Sequence, residues 1–189
     1  MNRTELPAQS LTSVPPPVTG ELDFRSLFST HFAYVFHTLR RLGIPPRDLP
    51  DVTHDVFLQV YRRRDQFDPA RPPRAWLFGF AFRVASRYRR LSYNRREQLD
   101  ALPELPDPAP SVVEKLVHEQ ELELALAALD SLELTRRAVF ILHELDGCPI
   151  PEVARTVGIP LNTAYSRLRL AREDFKKAAR RLSLRRGEP

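Results

Sequence analysis

The sequence predicts an all-α protein: two small helical domains joined by a flexible linker, the C-terminal one a helix-turn-helix. Three observations carry this expectation. Apolar residues recur every three or four positions over long stretches, and no stretch alternates as a strand would. Four prolines, Pro103, Pro106, Pro108 and Pro110, interrupt an acidic middle segment and deny it helical hydrogen bonds. Residues 150–172, IPEVARTVGIPLNTAYSRLRLAR, join a short helix, a glycine turn and an arginine-studded helix.

The elements follow in order. Residues 1–20, with Pro15, Pro16 and Pro17, read as a disordered or extended tail. Residues 21–96 form the first helical domain. There Phe24, Leu27, Phe28, Phe32, Val35, Phe36, Leu39 and Leu42 make the core face of one long or two short amphipathic helices ending at Gly43. Asp48 is suited to cap the next helix, which tolerates Pro50 in its first turn and runs to about Gln66 with Val52, Val56, Phe57, Val60 and Tyr61 inward. After a proline-rich loop a third long helix starts near Arg74 and carries Trp76, Leu77, Phe80, Ala81, Val84 and Tyr88, with Trp76 read as core.

Residues 97–115 read as the acidic, proline-rich linker, so the two domains are expected to move with some independence. Residues 116–184 form the second domain and 185–189 a tail. Leu122, Leu124, Leu126 and Leu129 lead to Leu134, and an apolar helix over 139–145 precedes the helix-turn-helix. Its first helix is expected over 151–157, Gly158 ends it in the left-handed conformation, and Pro160 suits the first turn of the next. On that second helix Ala164, Leu168, Ala171 and Phe175 face the core, and Asn162, Tyr165, Ser166, Arg169, Arg172 and Lys176 face out.

Charge favours an anionic partner. The net charge is +5 and the pI about 9.8. Residues 71–96 hold eight arginines and no acid, residues 97–134 ten acids and one lysine, and residues 167–186 nine bases and two acids. Two basic surfaces separated by an acidic spacer suit a protein that touches a duplex at two places.

Several function classes are excluded as expectations. One cysteine, Cys148, builds no disulfide framework and no cysteine-rich zinc site, which points to a reducing compartment, the cytoplasm by default. No signal-peptide core and no run of roughly 20 apolar residues is present, so membrane insertion is not expected. His143 and Glu144 begin a zinc-protease-like string, but Gly147 stands where the second histidine is required. Without a nucleophile, a phosphate-binding glycine loop or a ligand set, the chain is expected to be no enzyme and to use no metal or cofactor.

Taken together, the motifs carry a family resemblance that spans most of the chain. DVTHDVFLQVYRRRDQFDP and RAWLFGFAFRVASRYRR resemble region 2 of the extracytoplasmic-function (ECF) sigma factors of bacterial RNA polymerase. ALAALDSLELTRRAVFILHELDGCPIPEVARTVGIPLNTAYSRLRLAR resembles their region 4, in the expected order and separation. The resemblance implies that region 2 docks on the β′ clamp helices through Asp51, His54, Asp55 and Leu58, which share one helix face at i, i+3, i+4 and i+7; His54 stands where the family usually has glutamine.

It further implies that the minus-10 element is handled by Phe67, Arg71, Arg74, Phe78, Arg83, Arg87, Tyr88, Arg89 and Arg90. Cations there suit the backbone and rings suit unstacked bases. Arg83 and Arg87 replace the family's common asparagine and aspartate. For the minus-35 element it implies Asn162, Thr163, Tyr165, Ser166, Arg167, Arg169 and Arg172 on the recognition helix, with Arg136 and Arg137 holding the DNA backbone. Pro149 falls where relatives often carry a serine cap. The implied partners are core RNA polymerase, through the β′ clamp helices and the β flap, promoter DNA, and an anti-sigma protein. Two other readings stand beside this one: a free-standing helix-turn-helix regulator, and an adaptor that binds protein without reading DNA.

Overall fold

A computed structural model describes residues 23–99 and 113–187, and among them it contains seven α-helices and no strand. Helix α1 spans Phe24–Arg41 as one uninterrupted element. It begins where the Asp23 carboxylate accepts from the Arg25 N–H at 3.1 Å, and it ends with Arg40 and Arg41 beside the negative end of its dipole. Leu27, Val35, Leu39 and Leu42 are buried, while Phe24, Phe28, Phe32 and Phe36 lie half-buried against the same core.

Helix α2 spans Leu49–Arg62, shorter than the expected end at Gln66, because the chain tightens into a separate 3₁₀ turn over Arg64–Gln66. Asp48 precedes α2 without capping it. Its carboxylate instead accepts from the Tyr88 hydroxyl at 2.5 Å, tying the start of α2 to α3. Helix α3 spans Pro73–Leu99 and so runs three residues beyond the predicted domain boundary at 96. The predicted linker otherwise falls largely outside the described residues.

Helix α4 spans Val113–Asp130 and α5 Leu134–Phe140, which continues through a π-helical turn over Ile141–Leu145. Glu133 caps α5 by accepting from the N–H groups of Thr135 and Arg136. Burial opposes its charge, yet those bonds hold its carboxyl below the usual glutamate range. Helix α6, Ile150–Val157, starts on the Pro149 carbonyl without a side-chain cap and stops at Gly158, whose φ of +75° is left-handed. Helix α7, Leu161–Gly187, is 27 residues long. Ala164, Leu168 and Ala171 are buried, and Phe175 stacks on Phe140 at 4.8 Å, as the periodicity predicts.

The two blocks, expected from the sequence to move with some independence, lie in contact in this structure. Helix α3 lies against α6, α1 meets α4, and the buried apolar side chains of both halves belong to one core cluster.

Candidate nucleic-acid interface

The face expected to dock on a protein partner is exposed. Asp51, His54, Asp55 and Leu58 all lie on the solvent side of α2, and Leu58 leaves 53% of its surface uncovered. The opposite face of α2 is filled by Val52, Val56, Phe57 and Val60. Thr53 folds back onto the Leu49 carbonyl at 2.7 Å, which lets a hydroxyl sit in the core. Beside the exposed face, half-buried Phe32 faces the His54 ring at 6.3 Å. An exposed leucine on the same helix face as two carboxylates is chemistry suited to a basic partner.

The surface assigned to the minus-10 element is divided. Arg74, Arg83, Arg87, Arg89 and Arg90 are exposed, and among the described residues no ion pair engages Arg83, Arg87 or Arg90. Arg83 lies over the Phe80 ring at 4.6 Å; burial, then the nearby charge of Arg63, hold its guanidinium below the usual range. Arg74 lies over the Tyr34 ring at 5.2 Å. Phe67 is half-buried edge-on to Trp76 at 5.0 Å, and Tyr88 is held by Asp48. Phe78 requires correction: it is fully buried between helices, so its ring offers no face to a base. Its position on α3, one residue from Leu77, put it on the inner stripe.

The helix-turn-helix presents the predicted outward row. Asn162, Tyr165, Ser166, Arg169 and Arg172 are exposed, and Thr163 and Arg167 are partly covered. Ser166 donates to the Thr163 carbonyl at 3.0 Å. Two arginines here hold carboxylates: Arg169 pairs with Glu173 at 2.8 Å and Arg172 with Glu144 at 2.6 Å. Arg136 pairs with Asp174 at 2.8 Å. These exposed pairs are weak and can yield to phosphate. Arg137 is the second correction. It is fully buried, donates to the Asp130 carboxylate at 2.5 Å and to the Leu132 carbonyl at 3.3 Å, and cannot hold a DNA backbone.

Sequence reasoning missed the residues that join the two halves. The Tyr34 hydroxyl donates to Asp146 at 2.6 Å, and Arg41 stands 3.8 Å from the same carboxylate. Arg71 donates through Nε and Nη2 to one oxygen of Glu152, whose other oxygen pairs with Arg155 at 2.5 Å. Tyr34 sat inside an apolar helix pattern and Glu152 on the polar side of a short helix, so neither pattern signalled a partner more than 80 residues away. Among the described residues no cluster of His, Cys, Asp and Glu could hold a metal ion, and no helix is long and apolar enough to cross a membrane.

Two helical blocks, the second closing in a helix-turn-helix that turns an arginine-bearing face outward, have the architecture of a DNA-binding protein. The Sigma-70 region 2 family model matches residues 27–95 and the Sigma-70 region 4 model residues 122–175. The ferric citrate uptake sigma factor FecI of Escherichia coli is 30% identical over 146 residues, covering 77% of this chain and 84% of FecI. The sigma factor CnrH of Cupriavidus metallidurans is 28% identical over 157 residues, covering 79% of this chain and 82% of CnrH. A solved structure of CnrH with the cytosolic domain of CnrY matches with a TM-score of 0.59 at 26% identity, over 82% of this chain and 85% of that one. The sigma factor RpoE of Bartonella quintana, solved with the anti-sigma factor NepR, shares the fold at a TM-score of 0.66 and 18% identity, over 84% of this chain and 97% of RpoE. This chain belongs to the ECF sigma factors of the sigma-70 family.

Proposed function

We propose that the chain binds core RNA polymerase in the cytoplasm and directs promoter-specific initiation by recognising minus-10 and minus-35 elements. The observation that carries this reading is the presence on one chain of three unlike exposed surfaces. They are the acidic and apolar face of α2, the exposed arginines Arg83, Arg87, Arg89 and Arg90 of α3, and the outward polar row of α7. A free-standing regulator needs only the last of them.

In this mechanism Asp51, His54, Asp55 and Leu58 seat α2 on the β′ clamp helices, the charges setting orientation and Leu58 supplying apolar contact. Arg83, Arg87, Arg89 and Arg90 on α3 follow the phosphates of the melting strands, with Arg71 and Arg74 at its start. Phe67 and Tyr88 supply rings at the edge of that surface for an unstacked base. Helix α7 enters the major groove of the upstream element. Asn162, Thr163, Tyr165 and Ser166 meet base edges or phosphate, and Arg167, Arg169 and Arg172 lie along the same helix. Arg136, released from Asp174, reaches the adjacent backbone.

The protein contributes binding energy and no bond chemistry. Strand opening costs a few kcal/mol for each unstacked step, which the combined contacts to polymerase and DNA offset. An anti-sigma factor is a further proposed partner, because RpoE is solved with the anti-sigma factor NepR and CnrH with the cytosolic domain of CnrY. The β flap is the proposed contact of the C-terminal block. Run-off transcription with core polymerase tests the reading: added protein should produce discrete starts on a subset of templates, and their absence from a genomic promoter pool would refute it.

A further inference from the structure

Helix α7 continues to Gly187, well past Arg172, the last of its residues assigned to the upstream element. The continuation is basic throughout. Residues 175–187, FKKAARRLSLRRG, hold six bases and no acid. Phe175, stacked on Phe140, and the buried Ala178 anchor its start, and among the described side chains after Ala178 none is buried. Lys176 with Arg180, Lys177 with Arg181, and Arg181 with Arg185 set like charges at i and i+4, an arrangement that disfavours a helix in water. An anion lying along it would relieve that repulsion.

Lys176 and Arg180 extend the outward row of the recognition helix. Asn162, Tyr165, Arg169, Arg172, Lys176 and Arg180 stand at i, i+3, i+7, i+10, i+14 and i+18, one face of an α-helix, and all are exposed. Charge pairing changes along this row. Arg169 is held by Glu173 and Arg172 by Glu144, whereas among the described residues no ion pair engages Lys176, Lys177, Arg180 or Arg181. The cations available to a new anion therefore lie beyond the reading half of the helix.

Length decides which anion they meet. At about 1.5 Å per residue, Lys176 stands roughly 21 Å along the axis from Asn162, and Arg180 roughly 27 Å. The major groove is only about 12 Å wide. With the first turns of α7 against base edges, where a recognition helix places its N-terminal residues, Lys176 and Arg180 are carried out of the groove to its phosphate wall. They can reach backbone and cannot reach bases.

We propose that the basic continuation of α7 is a phosphate-binding arm, in which Lys176 and Arg180 take backbone phosphates beside the upstream element whatever the sequence there. Lys177 and Arg181 add to its field. The arm supplies affinity and the first turns of α7 supply selectivity. Its placement beside that element rests on the proposed function; its charge and exposure do not.

Titration of fluorescent random-sequence duplex with the full chain, between about 50 and 200 mM salt, tests the arm. Lys176→Gln with Arg180→Gln keeps good helix formers at exposed positions, and circular dichroism verifies the fold. The plot of log affinity against log salt should become shallower by about 1.8, about 0.9 for each phosphate contact removed. Arg25→Gln with Arg40→Gln on α1 removes the same charge elsewhere and should leave the slope at its wild-type value. An unchanged slope in the arm variant, an equal change in the α1 variant, or no wild-type binding at the lowest salt would overturn the arm.

A duplex carrying the upstream element of a template with polymerase-dependent starts gives the second readout. The arm variant should lose affinity there by the same factor as on random duplex. A loss confined to the element would make Lys176 or Arg180 a base reader and overturn the arm. Weaker initiation with an unchanged slope would assign these residues to an acidic protein and overturn it as well. Absence of polymerase-dependent starts with wild type would strike at the proposed function, while the slope on random duplex still decides the arm.

Discussion

The Tyr34 hydroxyl donates to the Asp146 carboxylate at 2.6 Å across 112 residues of sequence, and this bond couples the first helix of the chain to the turn before the helix-turn-helix. Burial, then the charge and hydrogen bond of Asp146, keep the Tyr34 hydroxyl protonated well above its ordinary range. Burial also raises the Asp146 carboxyl, against the opposing help of Tyr34, Arg41 and Arg74. The folded chain therefore takes up a proton at Asp146 more readily than the unfolded chain. The stability from this group is fully present below the ordinary aspartate range and is lost as pH rises through its raised value.

Tyr34→Phe removes one of the influences that favour the carboxylate. The substitution should cost about 1–3 kcal/mol at neutral pH, where a covered carboxylate loses its nearest donor, and markedly less in acid, where the carboxyl is neutral. Denaturant unfolding of both chains across that pH range checks the difference, and a pH-independent penalty would contradict it.

Gly43 and Gly147 both adopt positive φ, +90° and +69°, but their surroundings differ. A Cβ at Gly43 would stand 2.5 Å from Arg137 Nη1 and 3.0 Å from Asp130 Oδ1, whereas nothing lies within 4 Å at Gly147. Gly147→Ala should cost only backbone strain, about 1 kcal/mol. Gly43→Ala should cost about 2–4 kcal/mol, because the buried Arg137 guanidinium, held on the exposed Asp130 carboxylate, must also move. Thermal unfolding of the two variants gives the comparison.

Asp51 and Asp55 are exposed on α2 and carry no core packing. Reversing both to lysine should leave the melting temperature nearly unchanged and weaken association with core polymerase by about tenfold or more, with a reduced salt dependence. Competition binding against wild-type protein measures it.

Arg172 must leave Glu144 to reach DNA, and Arg169 must leave Glu173. Alanine at whichever residue reads a base should weaken initiation on a template with an intact upstream element by about 1–3 kcal/mol. On a template with that element scrambled, the same variant and wild type should perform alike. A uniform loss on both templates would assign the residue to phosphate.

Local pattern made most helices legible. The spacing of Leu27, Val35, Leu39 and Leu42 gave α1, and Ala164, Leu168 and Ala171 gave the inner face of α7. Gly158 marked the turn because few other residues accept its φ. What remained hidden depends on contacts between distant segments. Arg137 looks in sequence like its neighbour Arg136, yet a difference of one residue on a helix turns it by about 100° into the core. Phe78 has the composition of a base-stacking ring and the register of a core residue. The Arg71–Glu152 bridge has no local signature, since each partner is an ordinary charged residue until the blocks meet.

The central claim is polymerase-dependent promoter selection by two linked DNA surfaces. Run-off transcription with purified core polymerase, with and without this protein, over a genomic promoter pool tests it most directly. The account predicts discrete new starts that need both polymerase and this chain and that are lost when either promoter element is scrambled. Sequence-specific DNA binding by the free chain with no new starts would contradict it.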